Sequence, residues 1–309
     1  MRTSTIRGMF LATALVGLTA CGGGGGGGGG GGSGLVTVPP PPPPPPPSPP
    51  GTSVSIFPSI TTSTDFATLG YELSSSGSLT QDGFAVRYDA ASNVYIFDLP
   101  SHAPGEFRTT SSDDKYWNGG LPSGTILWPP LAVLKPTATN PLIQLNYTSL
   151  AYYQQAGPME DLPHGLVAFG TPTAASAVPI TGSATLNAIV SGITSERVGT
   201  IGGTATFNFD FGAGTLSGQF NPVLGEYYAT TTVPLGTYTF NNTVFGVGSP
   251  AFSGNMTHSD PRLAGAFNGV FTGPAAQELM ARWTATFFIA GVTPAPEQMF
   301  GVMVGKRCC

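Results

Sequence analysis

The sequence predicts an all-β protein whose C-terminal half closes into an eight-stranded antiparallel barrel. The first observation is composition: 9 % of residues are charged while Gly (44) and Pro (30) are abundant, as in short strands joined by turns. The second is the lack of any segment that sustains a helical apolar period. The third is alternation. From Thr181 onward, eight runs place apolar and polar residues at period two, separated by turn chemistry such as Gly212-Ala213-Gly214 and Ser259-Asp260-Pro261.

The first 50 residues join no domain. Arg2 and Arg7 form a positive n-region, and residues 9–18 (MFLATALVGL) are an apolar run of signal-peptide length, too short to span a bilayer. They lead into Leu18-Thr19-Ala20-Cys21, which resembles the lipobox of bacterial lipoproteins, where small residues precede a Cys that is diacylated and becomes the first residue of the mature protein. The expected boundaries are therefore a lipoprotein signal peptide over 1–20 and a tether over 21–52. Residues 22–34 are nearly pure glycine, a random coil spanning roughly 20 Å. Residues 39–50 are nearly pure proline, a semi-rigid polyproline II spacer about 37 Å long. Together they predict a disordered Gly/Pro tether that holds the folded body clear of the membrane.

The body is expected to begin at Ser53. Phe84, Val86 and Tyr88 alternate, residues 89–93 turn the chain, and Val94 to Leu99 return it as a hairpin. Residues 102–131 read as irregular, with the acidic pair Asp113 and Asp114 and the aromatics Tyr116, Trp117 and Trp128. Residues 142–153 and 166–170 are strand-like apolar runs. The eight regular candidates follow: 181–190, 204–211, 215–220, 237–245, 251–257, 263–272, 282–289 and 300–305. Phe207, Phe209 and Phe211 share one face while Thr206, Asn208 and Asp210 share the other, so one side packs inward and the other meets water. Eight such strands close most simply into an up-and-down barrel filled by side chains. A membrane-spanning barrel is the alternative, and it would turn the aromatic face toward lipid.

Between the sixth and seventh candidates, Gly273 and Pro274 end a strand, and Pro274 suits the first position of a short helix. Ala275, Ala276, Gln277, Glu278 and Leu279 are good helix formers, so a single helical turn is expected there. Here the residues resemble a known family. Phe267, Gly269, Phe271, Gly273, Pro274, Ala276, Glu278 and Leu279 are similar to the F-x-G-x-F-x-G-P-x-A-x-E-L signature in the barrel domain of transferrin-binding protein B and its relatives, surface lipoproteins of Gram-negative bacteria. Phe169, Gly170, Pro172, Thr173, Gly182, Ala184 and Thr185 resemble the segment entering that barrel, Phe209, Phe211, Gly212, Gly214 and Gly218 the next hairpin, and Phe300, Gly301, Gly305 and Lys306 the closing strand. The likeness covers residues 166–307. Met280 and Ala281 stand where the family usually has a Gly-Gly pair. The resemblance implies a small β handle domain of a few strands over 53–165, a barrel over 166–309, and a turn at 274–279 that closes one barrel mouth with Leu279 pointing in. Within that turn Glu278 has two expected roles, capping backbone N–H groups or pairing with Arg282 four residues on.

No catalytic constellation is visible. The three histidines are His102, His164 and His258, and the run His258-Ser259-Asp260 is a turn whose successive side chains diverge. No spacing suggests a metal site, and no cofactor is expected. Tyr147, Tyr152, Tyr153, Tyr227 and Tyr228 are candidate phenol ligands for iron or haem, set against the commoner role of packing with a hydrogen-bonded tip. Loss of Arg2 and Arg7 with the signal peptide leaves nine basic against 16 acidic residues, a charge of −7, which speaks against nucleic acid. The expectation is a non-enzymatic lipoprotein anchored to the outer membrane and displayed at the cell surface. It would bind a protein or small-molecule ligand through residues 102–131, 150–164 and 225–236, serve nutrient (iron) acquisition, and have an outer-membrane receptor as a further partner. The rival is a structural or adhesive surface lipoprotein with no cargo.

Overall fold

The chain divides into two units, Met1–Thr52 and Ser53–Cys309. The structure, a computed structural model, describes residues 57, 60–105, 107–112, 116–120, 131–134, 144–154, 163–195, 199–226, 232–289 and 295–308, all within the second unit. Cys21 and the Gly- and Pro-rich stretches lie outside the described residues.

Two antiparallel sheets make up this unit. The first holds β1 (Thr64–Leu73), β2 (Leu79–Thr80), β3 (Ala85–Asp89), β4 (Val94–Asp98), β5 (Phe107–Ser112), β6 (Tyr116–Gly120), β7 (Leu131–Leu134), β8 (Thr148–Gln154) and β9 (His164–Gly170). They neighbour one another in the order β2-β1-β3-β4-β5-β6-β7-β8-β9, and β9 pairs back onto β1 from Ala67↔Gly170 to Leu73↔His164. The ring is nearly closed and narrowest at β4 and β5, which share the pairs Ile96↔Arg108 and Phe97↔Phe107. The expected hairpin is β3 and β4. Its turn is set by Asp89, whose carboxylate accepts from the Ala91 N–H at 3.1 Å and from the Ser92 hydroxyl, while Asn93 takes a left-handed φ of 53°. Two expectations are corrected. The region holds nine strands, not a few, and the stretch read as irregular over 102–131 contains β5 and β6, whose short runs lack a clear apolar period.

The second sheet holds β10 (Ser183–Thr194), β11 (Gly199–Asp210), β12 (Thr215–Glu226), β13 (Thr232–Pro234), β14 (Tyr238–Val244), β15 (Ala251–His258), β16 (Ala264–Thr272), β17 (Glu278–Phe287) and β18 (Glu297–Arg307). Its order is β11-β10-β18-β17-β16-β15-β14-β12-β13, and β11 pairs with β12, so eight strands close a barrel with β13 added at the edge of β12. The eight sequence-predicted strands are β10 to β12 and β14 to β18. Sequence alternation produces the closure directly: Phe207, Phe209, Phe240, Phe252, Phe267 and Phe271 all point into one core and are at most 4 % exposed. Their rings meet edge-on or tilted, as at Phe209–Phe271 (4.7 Å) and Phe240–Phe267 (4.9 Å). Burying each ring contributes on the order of 1.5–3 kcal/mol. The polar faces of β10 to β12 and β14 to β16 point outward, so the membrane-spanning alternative, with its aromatic face toward lipid, is not the arrangement found.

A bulge between Leu216 and Gly218 bends β12. A side chain at Gly218 would meet the Phe240 ring at 2.6 Å, so its absence lets that ring reach the core. The two sheets also share a third core. Tyr71, Leu73, Leu150, Leu166 and Ala168 of the first sheet pack on Ile193, Met280, Phe300, Val302 and Val304 of the barrel. The seam is therefore built on the barrel side from the outward Phe300, Val302 and Val304 of β18, Met280 of β17 and Ile193 of β10.

Candidate functional site

The motif residues run from β16 through a turn into β17. Phe267 and Phe271 fill the barrel, and Gly269 leaves room for the Phe252 ring. The expected helical turn is absent: Gly273 to Ala276 form a tight turn, and β17 already begins at Glu278 rather than at 282. The correction has a local cause. Five residues cannot repay helix nucleation, and the turn is built from Gly273 at φ 81° and Ala276 at φ 52°, which reverse the chain at once. Pro274 is exposed at the tip, while Ala276 and Leu279 are fully buried in the barrel core, so this turn closes a mouth. The Arg307 N–H donates to the Gln277 carbonyl at 2.8 Å and ties the last strand to the same rim.

Glu278 is 2 % exposed and points outward, on the side facing the first sheet. One carboxylate oxygen accepts the Asn146 N–H at 2.6 Å and the other the Tyr147 N–H at 2.9 Å, just ahead of β8. Around it the two sheets are stitched together. Thr148 and Thr272 share a hydroxyl bond of 2.5 Å, and Thr173 donates its hydroxyl to the Gly273 carbonyl at 2.7 Å. The Gly273 N–H donates to the Thr171 carbonyl at 3.0 Å, and the Thr171 N–H to the Tyr147 carbonyl at 2.9 Å. The Tyr147 ring lies against Gly273, where a Cβ would approach it to 2.6 Å. Burial pushes the Glu278 carboxyl above its ordinary value, opposed by the Asn146 and Tyr147 N–H bonds, the Thr148 hydroxyl and the charge of Lys306. A carboxylate with both oxygens committed to main-chain donors is a clasp. Of the two roles expected for Glu278, the structure shows capping. Arg282 instead donates to the Gln81 carbonyl at 2.9 Å and lies 5.9 Å from the centre of the Tyr71 ring.

The candidate ligand side chains are scattered. Tyr153 is fully buried and donates to the Glu72 carboxylate at 2.7 Å; Ser101 donates to the same carboxylate, and the His102 ring stands edge-on to Tyr153 at 6.0 Å. Burial, followed by the Glu72 charge, pushes the Tyr153 phenol far up. Tyr152 bonds Gln154 at 3.0 Å, and Tyr147 packs at the clasp. His164 is buried at the start of β9. Tyr227 and Tyr228 lie outside the described residues, as do Asp113, Asp114 and Trp128. Among the described residues no three His, Cys, Asp or Glu side chains converge as a metal site would require. At His258 the expected turn forms: its Nδ1 accepts the Asp260 N–H at 3.0 Å, and Asp260 pairs with Arg262 at 2.6 Å. Hydrogen bonds from Arg262 hold the Asp260 carboxyl down at about 2.

Sequence reasoning missed the partners of the clasp, Asn146 and Tyr147, because a main-chain donor leaves no residue signature. It also missed the shared core. A signal for that one was present in Phe300-Gly301-Val302-Met303-Val304, which is apolar on both faces.

No protein-family model and no curated protein matches the chain. Solved structures to which it is similar include transferrin-binding protein B and related surface lipoproteins. Against a double mutant of transferrin-binding protein B from Haemophilus parasuis, identity is 17 %, the match covers 78 % of this chain and 44 % of that one, and the TM-score is 0.43. Against the protein from serogroup B Neisseria meningitidis the values are 16 %, 78 %, 43 % and 0.39. The N-lobe domain of lactoferrin-binding protein B from Moraxella bovis is 15 % identical over 81 % of this chain and 100 % of that one, with a TM-score of 0.28. The chain spans less than half the length of the first two.

Proposed function

We propose that this chain is a non-enzymatic surface lipoprotein of the transferrin-binding protein B kind, held to the outer membrane by lipid on Cys21. It binds a protein or solute ligand through its loops, in the service of nutrient (iron) uptake with an outer-membrane receptor. The observation that carries the reading is the junction at Glu278. The residues that bear the sequence resemblance are those that clasp two packed sheets together, and both interiors are filled with aromatic side chains. A ligand then has the loops to bind to. Of the stretches expected to bind, 225–236 include the end of β12 and all of β13 and 150–164 include most of β8 and the first residue of β9, while 227–231 and 155–162 lie outside the described residues. Glu226 stands at the barrel mouth opposite the Gly273 turn. The Leu18-Thr19-Ala20-Cys21 run supports the anchor.

The test has two parts. Mass analysis of the mature chain is expected to find acyl groups on Cys21 as its first residue, and protease added to intact cells is expected to release the body. Capture from growth medium by the full chain is expected to retain a protein or an iron-bearing solute, with retention lost when 227–231 are replaced by a Gly-Ser loop, a change that leaves β12, β13 and the buried Leu235 intact. An unlipidated Cys21 sinks the anchor. Unchanged capture after loop replacement sinks binding by that loop.

A further inference from the structure

Beyond the seam, where Ile193 of β10 still packs on the first sheet, the barrel wall is nearly without charge. Besides the buried Tyr238 phenol, β10 to β12 and β14 to β16 contain three ionisable residues, Asp210, Glu226 and His258, and each stands at the end of its strand. Between those ends the outward positions are Thr, Ser, Asn and Gln with a few small or aliphatic residues. An ordinary soluble surface carries about a quarter of its residues as charges. Lys306 of β18, opposite Asn187, is the first charge met at the border of this wall.

These polar side chains are not randomly oriented. On paired positions of β10 and β11, the Thr185 hydroxyl donates to the Asn208 amide oxygen at 2.9 Å, and the Thr206 hydroxyl donates to the Asn187 amide oxygen at 3.2 Å. The same bond recurs at Asn221 of β12, whose amide oxygen accepts from the hydroxyl of Thr237, the residue just ahead of β14, at 2.7 Å. Each pair spends the threonine proton on the amide oxygen. What remains facing water is a fixed amide NH₂, with two donors, beside a hydroxyl oxygen with free lone pairs. Asn187 and Asn208 sit on diagonal positions, roughly 7–8 Å apart.

Such a wall suits few partners. A phosphate or sulfate polymer needs cations, which these strands lack. A protein hot spot needs aromatic or Arg anchors, and the aromatics here point inward. A neutral chain of hydroxyls both accepts from amides and donates to hydroxyl oxygens, and it repeats along the wall so that weak contacts add. We propose that the outer face of β10, β11 and β12 binds a neutral polysaccharide, whose hydroxyls accept from the Asn187 and Asn208 amides and donate to the Thr185 and Thr206 oxygens. The proposal uses neither the loops nor the lipid anchor, so it stands or falls apart from the ligand reading above.

The experiment is affinity electrophoresis of the full chain, in a detergent that carries no sugar, through gels containing dextran, mannan or amylose, with dextran sulfate as the charged counterpart. Retardation by at least one neutral polymer is expected. Asn187→Ala with Asn208→Ala is expected to weaken it by about tenfold or more, as the loss of two hydrogen bonds implies. Asn187→Asp with Asn208→Asp keeps the side-chain shape but removes the donors, and is expected to do the same while melting temperature stays near wild type. No retardation by any neutral polymer, equal retardation of wild type and both variants, or retardation by dextran sulfate alone would each overturn the proposal.

Discussion

At the scale of single residues, Glu278 carries the most weight. Its side chain accepts two main-chain donors, from exposed Asn146 and half-buried Tyr147, so Glu278→Ala removes the acceptor that both N–H groups share. A loss of about 1–3 kcal/mol in urea unfolding is expected. Glu278→Gln keeps one acceptor and turns an NH₂ toward the second donor, so a smaller loss is expected. The pH dependence follows from the raised carboxyl. Because the folded state holds the proton more tightly than the unfolded chain, whose glutamate titrates near about 4.3, this group's stabilisation is full below that value and is lost as pH rises through the folded one. Comparing stability against pH in wild type and Glu278→Gln is expected to show that slope in the wild type alone. Ala276 is a contrasting case. Its left-handed φ of 52° costs about 1–2 kcal/mol, whereas its buried methyl contributes about 0.8 kcal/mol. The two nearly cancel, and Ala276→Gly is expected to leave the melting temperature within a few degrees of wild type.

At the scale of elements, the barrel depends on aromatic strands whose rings interlock. Phe209 touches Phe245, Phe252 and Phe271 with ring centres 4.7–5.6 Å apart. Phe209→Ala is expected to cost about 3–5 kcal/mol, more than most single changes, because neighbours that are themselves rigid rings cannot collapse into the space. The measurement is the urea midpoint at unchanged slope. Outward positions on the same strand behave differently. Asn208 contributes a single exposed hydrogen bond, so its replacement by Ala leaves stability nearly untouched and reports on binding instead.

At the scale of the whole described body, two sheets share an apolar seam and a polar clasp, so they are expected to unfold together. Val302 is fully buried in that seam, on the outer face of β18. Val302→Asp places a carboxylate among Tyr71, Leu166 and Phe300, and is expected to split a single denaturation transition, followed by circular dichroism across a urea series, into two. A variant that still unfolds in one step would show that the clasp alone couples the sheets.

The sequence alone determined the eight barrel strands and which residues share a face, because alternation at period two is a local property that any closed sheet must reuse: Phe207, Phe209 and Phe211 had to face together, and the structure decided that their side is the inside. It also offered capping as one role for Glu278, since a carboxylate beside a turn has few other uses. What it could not give was the identity of the capped groups, 131 and 132 residues away along the chain, nor the left-handed turn at Ala276, which helix-forming residues disguise. Those depend on how two independently patterned sheets meet. The meeting is long-range, made by main-chain donors and by outward apolar residues such as Met280 and Val302, and only the tertiary structure shows which face covers which.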